Sequence, residues 1–227
     1  VARQLQEGTR AEAYFRFPAG SQRFLSYRQL RVWMRGGHNL PGWDTGELQG
    51  YIKVESDANN FYMYKTPLHS VGEESAWNPE VVVNLETWTN LRPQIESQIQ
   101  NGQPPSGAAE CGGDPLAYVA CQDGYIVHIL NPGVNPPNLA AAQGLAAGMI
   151  RVAPGVSDST ELWVDDVRLA EPITTMGTAW ALDARLAAGD VFDISFLISN
   201  VNGQFRQLGD QPTFRTTSGL LTSGNFR

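Results

Sequence analysis

Apolar and polar residues alternate with a period of two along most of this chain, and that rhythm restricts it to a body built from β-sheets. From Tyr27 to Arg35, Leu30, Val32 and Met34 face one way and Gln29, Arg31, Trp33 and Arg35 the other. The same pattern runs through residues 11–17 and through Leu48–Ser56, where Ile52 and Val54 point inward. Asp57–Asn60 reads as a turn that joins this strand to Phe61–Leu68 as a hairpin. Shorter strands are expected at Val81–Leu85, Gly124–Leu130, Met149–Val152 and Glu161–Leu169. Glycine (23 residues) and proline (14) recur between them as turn punctuation.

Two stretches interrupt the pattern. Asn90 is placed to cap a short helix running to about Gln100, with Pro93 in its first turn and Ile95 and Ile99 on one face. The Ala-rich piece after Asn138 reads as a second short helix, weakened by Gly144 and Gly148. Residues 101–122 read as loop. After Pro172 the texture changes to longer amphipathic strands, Thr178–Ala187, Val191–Asn200 and Phe214–Phe226. The expected fold class is therefore all-β. Residues 1–172 would form a jelly-roll-like antiparallel β-sandwich with one short helix, and residues 173–227 a C-terminal antiparallel extension suited to a sheet edge or an outer-membrane barrel wall.

Charge and length exclude several function classes. The net charge is −7, and the cations, Lys53, Lys65 and the arginines, are dispersed along strands, so no concentrated patch awaits a nucleic-acid backbone. No run of apolar residues is long enough for a transmembrane helix. Cys111 and Cys121 stand ten residues apart among glycines and a proline, a spacing that favours a disulfide over two free thiols and implies an oxidising compartment. A zinc site would need two further ligands, and only His128 is within reach in sequence. The chain opens on Val1 with no charged-then-apolar leader, as a processed product or a piece of a longer protein would.

The order of three segments, Tyr27–Gly36, Asn60–Leu68 and Glu161–Leu169, resembles the galactose-binding-like jelly rolls of carbohydrate-binding modules. The whole length is similar to a segment of the SprA family, very large outer-membrane proteins of gliding motility and type 9 secretion, in which sandwich domains of this pattern precede or interrupt barrel strands. The motifs that carry the likeness are structural, and the Cys111–Cys121 loop has no counterpart in it.

Candidate sites follow from both sources. The apolar phase of Leu162 and Val164 is opposite to that of Val167 and Leu169, so a β-bulge is expected at Asp165–Asp166. Such a bulge gathers oxygens of the kind Ca²⁺ takes. The resemblance implies a structural calcium on Asp165 and Asp166 with Glu12 of an early strand; the alternative is a solvated bulge in which Asp166 pairs with Arg168 or Arg151. Trp33, Tyr51, Tyr62 and Tyr64 are candidates for an aromatic face that stacks on a glycan, or else for core and interface positions. His38, His69 and His128 show no paired spacing, and His128 reads as a satisfied sheet residue. No nucleophile elbow, phosphate loop or His-Glu-x-x-His stretch is present, and nothing brings two of Glu55, Glu73, Glu74, Glu80 and Glu86 together as a glycosidase pair. The expectation is a non-enzymatic scaffold or docking subunit, peripheral to a membrane protein complex on the periplasmic or cell-surface side. One setting is a brace on a photosynthetic reaction centre with its antenna ring, which no residue specifies. The alternatives are a carbohydrate-binding module and a fragment of a type 9 secretion translocon.

Overall fold

The computed structural model describes residues 1–37, 42–70, 77, 79–108, 111, 114–155, 159–173, 177–188, 191–203, 205 and 216–226. The chain forms two compact units, Val1–Pro172 and Ile173–Arg227. The first is an all-β sandwich with one helix.

Its larger layer is a six-stranded antiparallel sheet. In spatial order the strands are β2 (Arg10–Arg16), β9 (Gly144–Arg151), β4 (Leu48–Asp57), β5 (Asn60–Pro67), β8 (Tyr125–Ile129) and β7 (Tyr118–Gln122). The smaller layer pairs β11 (Leu162–Pro172), β3 (Tyr27–Gly36) and β6 (Val81–Asn84), also antiparallel. β1 (Ala2–Arg3) and β10 (Ser159–Thr160) add a short two-stranded piece. Strands distant in sequence thus become neighbours, as in a jelly roll.

Alternation decides what lies between the layers. Leu30, Val32 and Met34 of β3 and Val81 and Val83 of β6 meet Leu48, Ile52 and Val54 of β4, with Val127 and Ile129 of β8, in one buried cluster. The hairpin β4–β5 turns as its sequence indicates: Asp57 Oδ1 accepts hydrogen bonds from the amides of Asn59 and Asn60, both at 2.9 Å.

The helix, α1, spans Leu85–Gln100, and Asn84 caps it by accepting a 3.0 Å bond from the Glu86 amide. It therefore starts before Asn90, the cap expected from sequence, and Pro93 lies inside it. Pro93 is on the exposed side, where a carbonyl deprived of its amide partner can be met by solvent. Leu85, Trp88, Leu91 and Ile95 form the buried stripe, and the Trp88 indole donates to the Met63 carbonyl at 3.0 Å.

Two further expectations are corrected. The Ala-rich piece is not helical: Gly144–Arg151 is the strand β9, in register between β2 and β4. Part of the expected 101–122 loop is the edge strand β7, paired with β8 through Asp123–Gly124. Both loop residues have positive φ, 50° and 84°, as a two-residue hairpin loop of the primed type requires.

The second unit is a three-stranded meander of β12 (Ala179–Ala188), β13 (Phe192–Val201) and β14 (Thr217–Phe226). Its register is unbroken from Ala179↔Val201 to Ala188↔Phe192, and again from β13 to β14.

The small residues of β9 explain why it can lie at the middle of the larger sheet. A Cβ on Gly148 would come within about 2.5 Å of the Ala11 carbonyl oxygen and of the Tyr51 hydroxyl. Gly148→Val is therefore expected to cost about 1–3 kcal/mol in urea unfolding through overpacking, and an unchanged midpoint would contradict this close crossing.

Candidate functional site

The side of the six-stranded sheet turned away from the sandwich core carries the densest polar chemistry of the first unit. On β9 the residues facing this side are Gly144, Ala146, Gly148 and Ile150, so for most of its length the strand offers no long side chain. Long side chains from β2 and β4 reach one another across it. Lys53 of β4, only 1% exposed, places its Nζ 2.8 Å from Glu12 Oε1 of β2 and 2.8 Å from Glu55 Oε2. The Tyr51 hydroxyl donates to the other oxygen of Glu12 at 2.8 Å. The Lys53 ammonium also lies 5.2 Å from the centre of the Phe61 ring.

The titration behaviour of this group follows from its placement. Burial pushes the Glu12 carboxyl up, but hydrogen bonds from Lys53 and Tyr51 and the charge of Lys53 outweigh it and hold Glu12 below its ordinary 4.5. Burial, then the bond to Glu12, pushes the Tyr51 hydroxyl far up, so it stays a donor. Burial holds His128 below its ordinary 6.5; its ring stacks on Phe61 with centroids 4.6 Å apart and its Nδ1 lies 2.8 Å from the Asn59 carbonyl oxygen.

Beside this network the same face opens into a cavity of about 490 Å³ whose lining includes Arg10, Phe61, Met63, Lys65, Asp114 and His128. A second, of about 420 Å³, lies against Gln49, Tyr64, Cys111, Cys121 and Gly124. Lys65, Cys111 and Ile126 line both. Cys111 and Cys121 form a disulfide, and with Ala117 and Val119 they pack onto Phe61, Met63 and Ile126 as a second apolar cluster on this face.

The structure separates the residues of the expected aromatic platform. Tyr62 is buried in the sandwich core with its hydroxyl 3.0 Å from the Pro137 carbonyl, and Tyr64 packs on the same side against Tyr125. Tyr51 faces the opposite side of that sheet, and Trp33 lies in the smaller layer. Alternation makes this unavoidable: in the β4–β5 register Tyr51 is opposite Lys65, whereas Tyr64 is opposite Ile52.

The expected calcium ligands do not converge either. The register slips between Asp165 and Arg168, and Asp166 has φ +47°. Asp166 pairs with Arg168, however, and Asp165 Oδ1 accepts from the Asp166 amide at 2.8 Å. Glu12 is committed to Lys53 in the other layer. Among the described residues no group of three or more His, Cys, Asp or Glu side chains is placed to hold a metal ion. His69 is exposed near Asp44, while His38, Glu73 and Glu74 lie outside the described residues.

Of two further surfaces, the first escaped the sequence reading and the second carries the amphipathic strands expected after Pro172. Trp163, 46% exposed, lies across from Arg35, whose guanidinium is 4.7 Å from the Trp163 ring centre and 5.3 Å from that of Trp77. Trp33 is diagonal to Trp163 on this face, a pairing that only the β3–β11 register creates. The second surface is the meander. On one face the cross-strand rows are Leu182–Ile198–Leu220, Ala184–Phe196–Thr222 and Leu186–Ile194–Gly224. On the other they include Asp183–Leu197–Leu221, Arg185–Ser195–Ser223 and Ala187–Asp193–Asn225, with Arg185 paired to Asp193. Trp180, Leu182 and Leu220 are 53%, 54% and 67% exposed.

No family model matches the chain, and no curated protein matches it. Among the described residues no helix is long and apolar enough to cross a membrane.

The Glu12–Lys53 pairing makes acid sensitivity a test of this network. A carboxyl whose folded pKa is depressed contributes stability that is full above its unfolded pKa and is lost as pH falls through the folded value. Stability measured by urea unfolding should therefore drop below about pH 4.5 in a way that Glu12→Gln abolishes. An identical acid profile in the two proteins would rule the pairing out.

Proposed function

We propose that this chain is a non-enzymatic scaffold or docking module of a membrane protein complex outside the cytoplasm, attached through the meander. The observation that supports it is the separation of apolar from mainly polar residues over three ten-residue strands in continuous register. Ten residues extend about 33 Å, and at the tilt of barrel strands they span the roughly 25 Å apolar band of an outer-membrane wall. The Leu182–Ile198–Leu220 face would meet lipid, and the face holding Arg185–Asp193, Ser195 and Ser223 would meet water. β12 and β14 each pair only with β13 among the described residues, so each offers an edge to strands of a partner. The disulfide supports an oxidising compartment, and the sandwich would supply the docking body.

A glycan-binding reading keeps one observation in its favour, the exposed Trp163 beside Trp33. A polysaccharide pull-down that loses its catch on Trp163→Ala would favour that reading.

Isolation of the native chain from gently solubilised membranes tests the docking reading. The chain should co-purify with a membrane complex. Leu182→Arg together with Ile198→Arg should release it, each substitution costing about 2–4 kcal/mol on a lipid face. Recovery of the unaltered chain as a free soluble monomer would count against the proposal.

A further inference from the structure

The cavity of about 490 Å³ on the outer face of the six-stranded sheet is lined by two cations, Arg10 and Lys65. Arg10, exposed at its mouth, lies over the Phe61 ring at 5.3 Å. Lys65, half-buried, donates to the Cys111 carbonyl at 3.1 Å. Neither forms an ion pair with a carboxylate among the described residues, whereas Lys53 on the same face holds two. Between them the floor is apolar, formed by Phe61, Met63, Ile126 and Ile150. Asp114 and Asn59 supply acceptors at the rim.

We propose that this groove binds an organic carboxylate whose body presents an apolar face, with the positive field of Arg10 and Lys65 drawing the carboxylate and the Phe61–Met63–Ile126 floor taking the body. A small inorganic anion would leave that floor unused, and an uncharged ligand would leave the half-buried Lys65 ammonium without a counter-charge. The volume is that of a small-molecule site. Burial lowers the Lys65 pKa, which is the expected state of an ammonium held without a counter-charge. Burial holds His128 below its ordinary 6.5, so among the residues lining the cavity Arg10 and Lys65 outweigh Asp114. The inference concerns the first unit alone and stands independently of the membrane reading.

Two sources carry this chemistry, acidic sugars and acyl-chain acids. Calorimetric titration of the whole chain at low salt with a galacturonate trisaccharide and with decanoate, each beside its uncharged counterpart (a galactose trisaccharide, decanol), separates them. One of the two acids should bind at a single site at least tenfold more tightly than its neutral counterpart, and which acid does so identifies the source. Arg10→Gln and Lys65→Gln should each weaken that binding tenfold or more. Arg10 is exposed, so Arg10→Gln decides the matter even if the Lys65 variant fails to fold, with circular dichroism as the check. Binding of neither acid, equal binding of acid and neutral compound, or unaltered affinity in Arg10→Gln would each overturn the proposal.

Discussion

A sheet has two faces, and every residue placed inward on one face forces its neighbours onto the other. The first unit meets this constraint by covering both faces of its larger sheet. One side receives the smaller layer and α1. The other is closed because Gly144, Ala146 and Gly148 of β9 leave room for Glu12, Tyr51 and Lys53 to meet across the strand. Larger residues there would separate Lys53 and Tyr51 from Glu12 and leave Lys53 with Glu55 of its own strand alone.

That closure places the remaining chemistry. With Lys53 satisfied by Glu12 and Glu55, two other cations of the face, Arg10 and Lys65, line the same cavity. The disulfide ties Cys111 to Cys121 of the edge strand β7, and Cys111 and Ala117 pack with Phe61, Met63 and Val119 on this face. In the second unit Trp180, Leu182, Leu186 and Leu220 of the apolar face are exposed, and Phe192, Phe196 and Ile198 are half-buried. These exposed apolar residues support the proposed attachment through the meander.

Much of the fold was legible in the sequence where alternation is strict. β3 and β4 have the faces that their residues indicate, because burial enforces register, and β12 and β13 pair in the phase of their alternation. The losses have identifiable causes. Alanine and glycine in β9 are poor strand formers by composition, and their reason for being there is a crossing that only the tertiary fold creates. The start of α1 was displaced because Asn84 follows the β6 valines directly, with no turn to announce a cap. The Asp123–Gly124 turn was a readable hairpin signal, hidden by the disulfide loop before it. The candidate sites fared less well, since Tyr51 and Tyr64 belong to opposite faces and Glu12 answers Lys53 and not Asp165. Residue type suggested those sites, but cross-strand register determines which side chains meet.

Spin labels placed singly along Phe192–Val201 in the purified membrane assembly give the most direct test of the meander's assignment. Collision with oxygen, which dissolves in lipid, should be high at positions 192, 194, 196 and 198, and collision with a water-soluble nickel chelate should be high at 193, 195 and 199. Equal access of the nickel chelate to every position, or no alternation in oxygen access, would contradict a sheet that divides lipid from water.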